Sequence, residues 1–434
     1  MPKVDPGSGL EPVSSIFAGS VWIGGFDLSG SLKIAAIDYR SATSNEWWPG
    51  PIDERSGTTC TEDCENWDQH FRVLGDNIRK HIANYNRSIT DPTYNYSIDD
   101  VPQDIKTWPA TGNKFFVERY GFELPDSRQG LGNFFETEGN ENGIYEPELG
   151  EYPMIDVRNC PPGIFADEMY FWVYNDVGNV HTNTQGDAIQ MEVQVQGFAY
   201  QTTDEINDMT FYRYKLINRA SQAIDSCFFA MWVDPDLGCY TDDYIGCDSV
   251  RSLMYIYNSD EVDGTSGCDC NAGVPTYCDE VPILGVDYFR GPLAPTVFDS
   301  LTGELVNPAI GQPFDTIVEV GMSSFTYYNN SGLPGVPPSQ GDPQVGPQYY
   351  NYLSGSWTDG TRFTRGGTGY NVGSTELTNF ALHDAPNIAG GWSMCEEGLE
   401  NGDRRTVQAS GPLRLDPGAV NELIIGVVWV PDQQ

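Results

Sequence analysis

Between residues 169 and 258 one apolar and aromatic run follows another: "MYFWVYND", "AIQMEVQVQGFAY", "MTFYRYKLINRA", "CFFAMWVD" and "SLMYIYN". Short turns separate them, and no segment of helical spacing intervenes. A parallel neighbour needs a crossover connection of a dozen or more residues, so successive strands of this kind pair antiparallel. In the second run Ile189, Met191, Val193 and Val195 alternate with polar neighbours, the pattern of a sheet with one wet face. The expected fold is mainly β: an antiparallel β-sandwich core with long ordered loops and one helix near residues 61–86.

The rest of the chain fits around that core. "SIFAGSVWIGGF" and "SLKIAAIDYR" read as two strands joined by "DLSG", and "NELIIGVVWV" reads as a buried final strand. Trp67, Phe71, Leu74, Ile78 and Ile82 recur at helical spacing, with Thr61 as the N-cap. The loop-dominated, acidic stretch 110–165 and the Pro/Gly-punctuated stretch 259–375, which carries "GVPPSQGDPQVGPQ", are long excursions between strands. With 434 residues the chain is long enough for one large β-rich unit, or for a 1–165 β/helix part packed on a 166–434 β-sandwich part.

Charge narrows the partners. Lys+Arg 23 against Asp+Glu 62 leaves a formal −39, which repels nucleic acid and anionic lipid and attracts divalent cations. No run of about 18 apolar residues spans a membrane. The start, "MPKVDPGSG", lacks the apolar core of a signal peptide, and the N-terminus is read as a processed boundary. Ten cysteines face only four histidines, and no second pair matches the spacing of Cys60 and Cys64, which argues against zinc. Cys60, Cys64, Cys239, Cys247, Cys268, Cys270 and Cys278 lie in or beside polar, acidic segments and are the disulfide candidates, with pairing left open.

The densest acidic stretch is "WVDPDLGCYTDDYIGCD", residues 232–248. Asp234, Asp236, Asp242, Asp243 and Asp248 repel one another unless a cation or a proton intervenes. Short carboxylates on a turning backbone suit calcium, which takes six to eight oxygens, and Gly238 and Gly246 allow the bend. The competing reading is an acidic loop closed by Asx-turns. A second loop, "EGNENGIYEPELGEYP", places Glu138, Asn140, Asn142 and Gly143 like the start of a calcium loop. Its twelfth position is Leu149 rather than Glu, with Glu146, Glu148 or Glu151 available to compensate. A third and weaker group is Asp260, Asp263 and Asp269. For catalysis, no pair of carboxylates stands out as a glycosidase pair, and His181 and His383 lack a nucleophile motif such as G-x-S-x-G. "GDRR" (402–405) pairs Asp403 with Arg404 or Arg405 at a strand end.

Several longer segments share a pattern: "FWVYNDVGNVHTNTQGDAIQMEVQVQGFAY", "INDMTFYRYKLINRAS", the 232–248 stretch, "NGDRRTVQASGPLRLDPGAVN", "SIFAGSVWIGGFDLSGSLKIAAIDYRS" with "WWPGP", and "YNYLSGSWTDGTRFTRGGTGYN". Together they resemble the large secreted surface proteins of Bacteroidota that leave the cell by type IX secretion. In that family the 138–153 stretch reads as an Asp/Asn-Gly loop ending "GDYP"; here Glu stands where Asp does there. The resemblance implies export and display at the cell surface and supplies no activity. The expectation is an extracellular, calcium-stabilised structural or adhesion protein without enzymatic activity. Self-association into a filament or layer, or binding of other surface proteins or glycans, follows from that setting. The alternative is a carbohydrate-binding module or glycoside hydrolase, suggested by abundant Trp, Tyr and Phe.

Overall fold

A computed structural model describes residues 3–4, 12–41, 43–126, 130–264, 268, 270, 275–299, 304–306, 314–330, 336–371 and 373–431. Mainly antiparallel sheets with few helices make up the chain, as expected. It divides into two compact units that interleave in sequence. Met1–Glu46, Asn179–Ile189 and Ala220–Gln434 form the first, and Trp47–Gly178 with Gln190–Arg219 the second. A single boundary near residue 165 does not describe them, because strands far apart in sequence pair within each unit.

The first unit is a β-sandwich. One sheet runs in the order Ser324–Asn329, Arg404–Leu415, Ile224–Asp234, Ala18–Asp27 and Leu32–Ala35, with every neighbour antiparallel. A second ladder joins Asp243–Asp248, Leu253–Asn258, Ile283–Arg290 and Val420–Val430. The two face each other: Tyr288 of the ladder donates its hydroxyl to the Gln408 carbonyl at 2.9 Å, and Gln408 Nε2 returns a bond to the Val286 carbonyl at 3.2 Å. The outer face of the first sheet is also covered. Helix Gly346–Leu353 lays Tyr349 edge-on against Trp22 (4.8 Å) and Tyr352 flat against Tyr328 (5.1 Å). Strand Ile224–Asp234 is therefore apolar on both faces, and Trp22 and Trp232 are fully buried. Such continuous runs belong to strands covered on two sides.

In the second unit Glu168–Asn175, Met191–Ala199 and Met209–Asn218 form the ladder, with Trp48–Pro49 and Phe71–Leu74 added against the first of these. The expected single helix over 61–86 is two helices, Thr61–Trp67 and Gly75–Thr90, interrupted by the strand Phe71–Leu74. In "FRVL" Phe71 and Val73 are buried and Arg72 is exposed, a period of two hidden within a pattern that also fits a helix. Thr61 is the first helical residue rather than the cap; Cys60 is the N-cap, its sulfur accepting from the Asp63 N–H.

Nor does the alternating run Met191–Ala199 have a wet face. Glu192, Gln194 and Gln196 are all buried. Each is paired internally through at least one polar atom, while the Gln194 and Gln196 side-chain oxygens accept no hydrogen bond. Arg219 donates to both Glu192 oxygens (3.1 and 3.0 Å), the Ile52 N–H adds a third bond, and Gln194 and Gln196 donate to the Gly130 and Met154 carbonyls at 2.9 Å. Burial of such groups is tolerated only when they are paired.

Removing Glu192 leaves Arg219 buried beside a cavity and without its bidentate carboxylate, with Glu54 still near. Glu192→Ala is expected to lower unfolding stability by about 3–5 kcal/mol, read from the urea midpoint. His81 gives a pH test. It is buried between the Tyr96 hydroxyl (2.9 Å) and the Glu151 carbonyl (3.1 Å), and burial pulls its pKa down to about 4. A histidine depressed in the folded state contributes stability above its unfolded value of about 6.5, and that contribution is lost as pH falls toward 4. Between pH 7 and 4.5, His81→Gln should show a smaller drop in urea midpoint than the parent protein.

Candidate metal centre

The acidic stretch 232–248 resolves into three separate arrangements. Asp234 ends its strand on the same face as Trp232, two residues earlier, and the antiparallel partner brings Arg405 beside it. Asp234, Asp236 and Asp403 then converge, with carboxylate oxygens within 4.8 Å of one another. Arg405 sits at the edge of this group. Its Nη1 donates to Asp403 at 2.5 Å, its Nε lies 3.5 Å from Asp234 Oδ1, and it donates to the Tyr39 hydroxyl at 2.9 and 3.1 Å. Tyr39 in turn donates to Asp234 Oδ2. The "GDRR" pairing is thus Asp403 with Arg405. Arg404, one residue earlier, projects to the opposite face of the strand and donates to the Gly402 carbonyl.

Three carboxylates against one guanidinium leave an excess of negative charge in a half-buried place. Burial first, then Asp234 and Asp403, push Asp236 up to about 7. Asp38 close by is also raised to about 7, by burial and by Asp342. Asp234 is 2% exposed, and its Oδ1 accepts no hydrogen bond. The positive group beside that oxygen is Arg405, with Nε at 3.5 Å, and Asp243 Oδ1 in the neighbouring group likewise accepts no hydrogen bond.

A second group lies one loop further on. Asp242, Asp243 and Asp263 are all buried, and each carboxylate clamps backbone. Asp242 accepts the Gly264 N–H at 2.8 Å, Asp243 the Leu237 N–H at 3.0 Å, and Asp263 the N–H groups of Cys239 (2.9 Å) and Tyr277. Gly238 makes this possible. Its φ is +77°, and a Cβ there would fall 2.0 Å from Asp263 Oδ2. Cys239 Sγ approaches Asp242 and Asp263 but is bonded to Cys268, so it offers no thiolate. Burial raises Asp243 well above the usual carboxylate range and Asp263 to about 6.

Asp248 joins neither group. Strand Asp243–Asp248 carries it roughly 17 Å from Asp243 at about 3.4 Å per residue. There it closes an Asx-turn on the Val250 and Arg251 N–H groups and pairs with the Arg251 guanidinium at 2.5 Å. The loop 138–153 closes on itself as well. Glu138 is exposed, while Asn140 donates to Glu146 and Glu151 at 3.0 Å and Asn142 to Glu146 at 2.9 Å. Side-chain amide groups occupy the space between these carboxylates. Glu151, two positions past Leu149, supplies the buried carboxylate that the twelfth position lacks.

Two disulfides form, Cys239–Cys268 and Cys270–Cys278. Of the remaining candidates, Cys60 caps its helix, Cys64 lies within that helix, and buried Cys247 donates to the Ala381 carbonyl; none of the three is in a disulfide. Cys239 and Cys247 are not bonded to each other because strand Asp243–Asp248 carries Cys247 inward, away from the loop. Asp269 lies outside the described residues. Asp38, Asp342 and Asp403 have no place in a local acidic motif, and only strand pairing assembles them.

A scan against known family models finds no match to this chain, and no curated protein matches it in sequence. Among the described residues no helix is long and apolar enough to cross a membrane.

The Cys239–Cys268 bond closes a segment with a sequence separation of 29 beside the Asp263 clamp. Replacing both cysteines by Ser is expected to cost about 3–4 kcal/mol by the chain-entropy argument. The thermal midpoint should fall accordingly, and reduction of the parent protein should produce a shift of the same sign.

Proposed function

We propose that this chain is an exported, calcium-stiffened β-sandwich with a structural or adhesive role at the cell surface, and that Asp234, Asp236 and Asp403 hold the cation. The observation that carries the metal reading is the convergence of three carboxylates, Asp234, Asp236 and Asp403, within 4.8 Å of one another beside a single guanidinium, Arg405. The donor set is all oxygen, which suits calcium or magnesium rather than zinc or copper, and a protein in an extracellular setting meets calcium in abundance. A bound cation would tie the end of strand Ile224–Asp234 to the start of strand Arg404–Leu415. That is a stiffening role at a strand seam rather than a catalytic one.

Export is supported by the two disulfides, which persist in oxidising compartments, and by the motifs shared with the type IX surface proteins. A charge of −39 keeps such a protein soluble and repels anionic surfaces while favouring divalent ions. Self-association into a filament or layer belongs to the same reading, since edge strands offer unpaired backbone to a neighbour.

Calcium should raise the thermal midpoint by mass action, equivalent to about 2.7 kcal/mol at a hundredfold excess over Kd. In EDTA, Asp236→Asn should melt no lower than the parent protein, because it removes a buried like charge. In calcium the order should reverse. An unchanged midpoint on adding calcium, with no metal found by elemental analysis, would sink the proposal.

A further inference from the structure

The second unit carries a trough unrelated to the acidic clusters. It encloses about 420 Å³ and is lined by Tyr170, Trp172, Phe198, Tyr212, His70 and Glu168, with Gly197, Ala199 and Thr210 completing it. The strand register explains its shape. Gly197 lies in the central strand, directly opposite Tyr170 on one side and Tyr212 on the other. Cross-strand partners share a face, so the row reads aromatic, glycine, aromatic, with the Trp172 ring reaching over the glycine between the two tyrosines. Trp172, two residues along from Tyr170, extends the same wall, and Thr210 extends the other.

A glycine in a strand interior weakens it, and its presence often marks close approach of a ligand or backbone. A Cβ at residue 197 would lie 3.2–3.3 Å from the six-membered ring of Trp172 and 3.5 Å from Tyr212. An aromatic ring laid over a sheet glycine is a familiar device for covering it. That accounts for Trp172. It leaves unexplained the opposing Tyr212, the half-buried ring of Tyr170, and the polar groups at the ends.

The walls are also held in place. The Tyr170 hydroxyl donates to Glu168 Oε1 at 2.7 Å, and Arg72 donates to the same oxygen at 2.6 Å while lying over the Tyr170 ring. His70 meets Trp172 edge-on at 5.1 Å. Rings fixed before a ligand arrives lose little freedom when it binds. The volume is within the range of about 300–1,000 Å³ usual for small-ligand sites.

We propose that this trough binds a neutral pyranose chain. A pyranose ring presents flat C–H faces and a rim of hydroxyls, which matches aromatic walls flanked by carboxylate, imidazole and hydroxyl groups. The charge of the chain disfavours an acidic or sulfated glycan and a nucleotide. Glu168 is the one carboxylate among the lining residues, and its partners Tyr170 and Arg72 keep it ionised. Glycoside hydrolysis uses two carboxyl groups, so the trough binds without turnover. The proposal is independent of calcium at the acidic clusters.

The test is binding of cello-, xylo-, manno- and laminarihexaose to the intact chain, by calorimetry and by tryptophan fluorescence. At least one should bind, with a fluorescence change. Trp172→Ala and Tyr212→Ala should each weaken it tenfold or more, and Tyr240→Ala, an exposed ring in the other unit, should leave it unchanged. Circular dichroism checks that the variants fold, and Tyr212→Ala decides the matter if Trp172→Ala does not. No binding at millimolar concentration overturns the proposal, as does binding that survives both variants, release of reducing ends, or preference for heparin or an apolar peptide.

Discussion

The pairing of strand Ile224–Asp234 with strand Arg404–Leu415 is the contact on which the first unit depends. It joins segments 173 residues apart, and its register places Val233 opposite Thr406 and Arg405 beside Asp234. Both strands are buried on two faces, because the second ladder covers one and helix Gly346–Leu353 the other. The closure entropy of so long a loop is recovered only when both faces are covered. Without this pairing Asp403 and Arg405 do not reach Asp234, and the acidic strand end has no counter-charge.

Buried carboxylates do the local fastening in both units. Asp242, Asp243 and Asp263 each grip loop N–H groups that no ladder serves, and Glu192 grips Arg219 and the Ile52 N–H. Loops as long as these would otherwise bury unsatisfied backbone donors. The acidic composition is thus spent partly on backbone satisfaction inside the fold. Asp234 is held differently: it accepts from the Tyr39 hydroxyl and pairs with Arg405. With its acidic neighbours Asp236 and Asp403 it forms the cluster proposed for a cation.

Much of this was legible beforehand. The strands between 169 and 258, the acidic strand end at 234–236, the cysteine staples near 268–278 and the Asp403 ion pair all lie where local pattern placed them. The errors share one cause. "FRVL" satisfied helical and strand spacing together, and only its partner Glu168–Asn175 chose between them. Glu192, Gln194 and Gln196 looked like a wet face because periodicity reports which residues are polar, not what covers them. Asp248 looked like a ligand because it is near Asp243 in sequence, yet an intervening extended strand separates the two.

The sequence by itself determined the class of fold, the antiparallel pairing and the places where negative charge had to be relieved, because period-two patterning and charge spacing are local properties. Tertiary structure alone decided which charges meet. Asp38, Asp236, Asp342 and Arg405 come together through strand register and loop closure across hundreds of residues, and the Tyr170–Gly197–Tyr212 row exists only once three strands align. No local pattern encodes such a register, since it is set by the burial of whole faces.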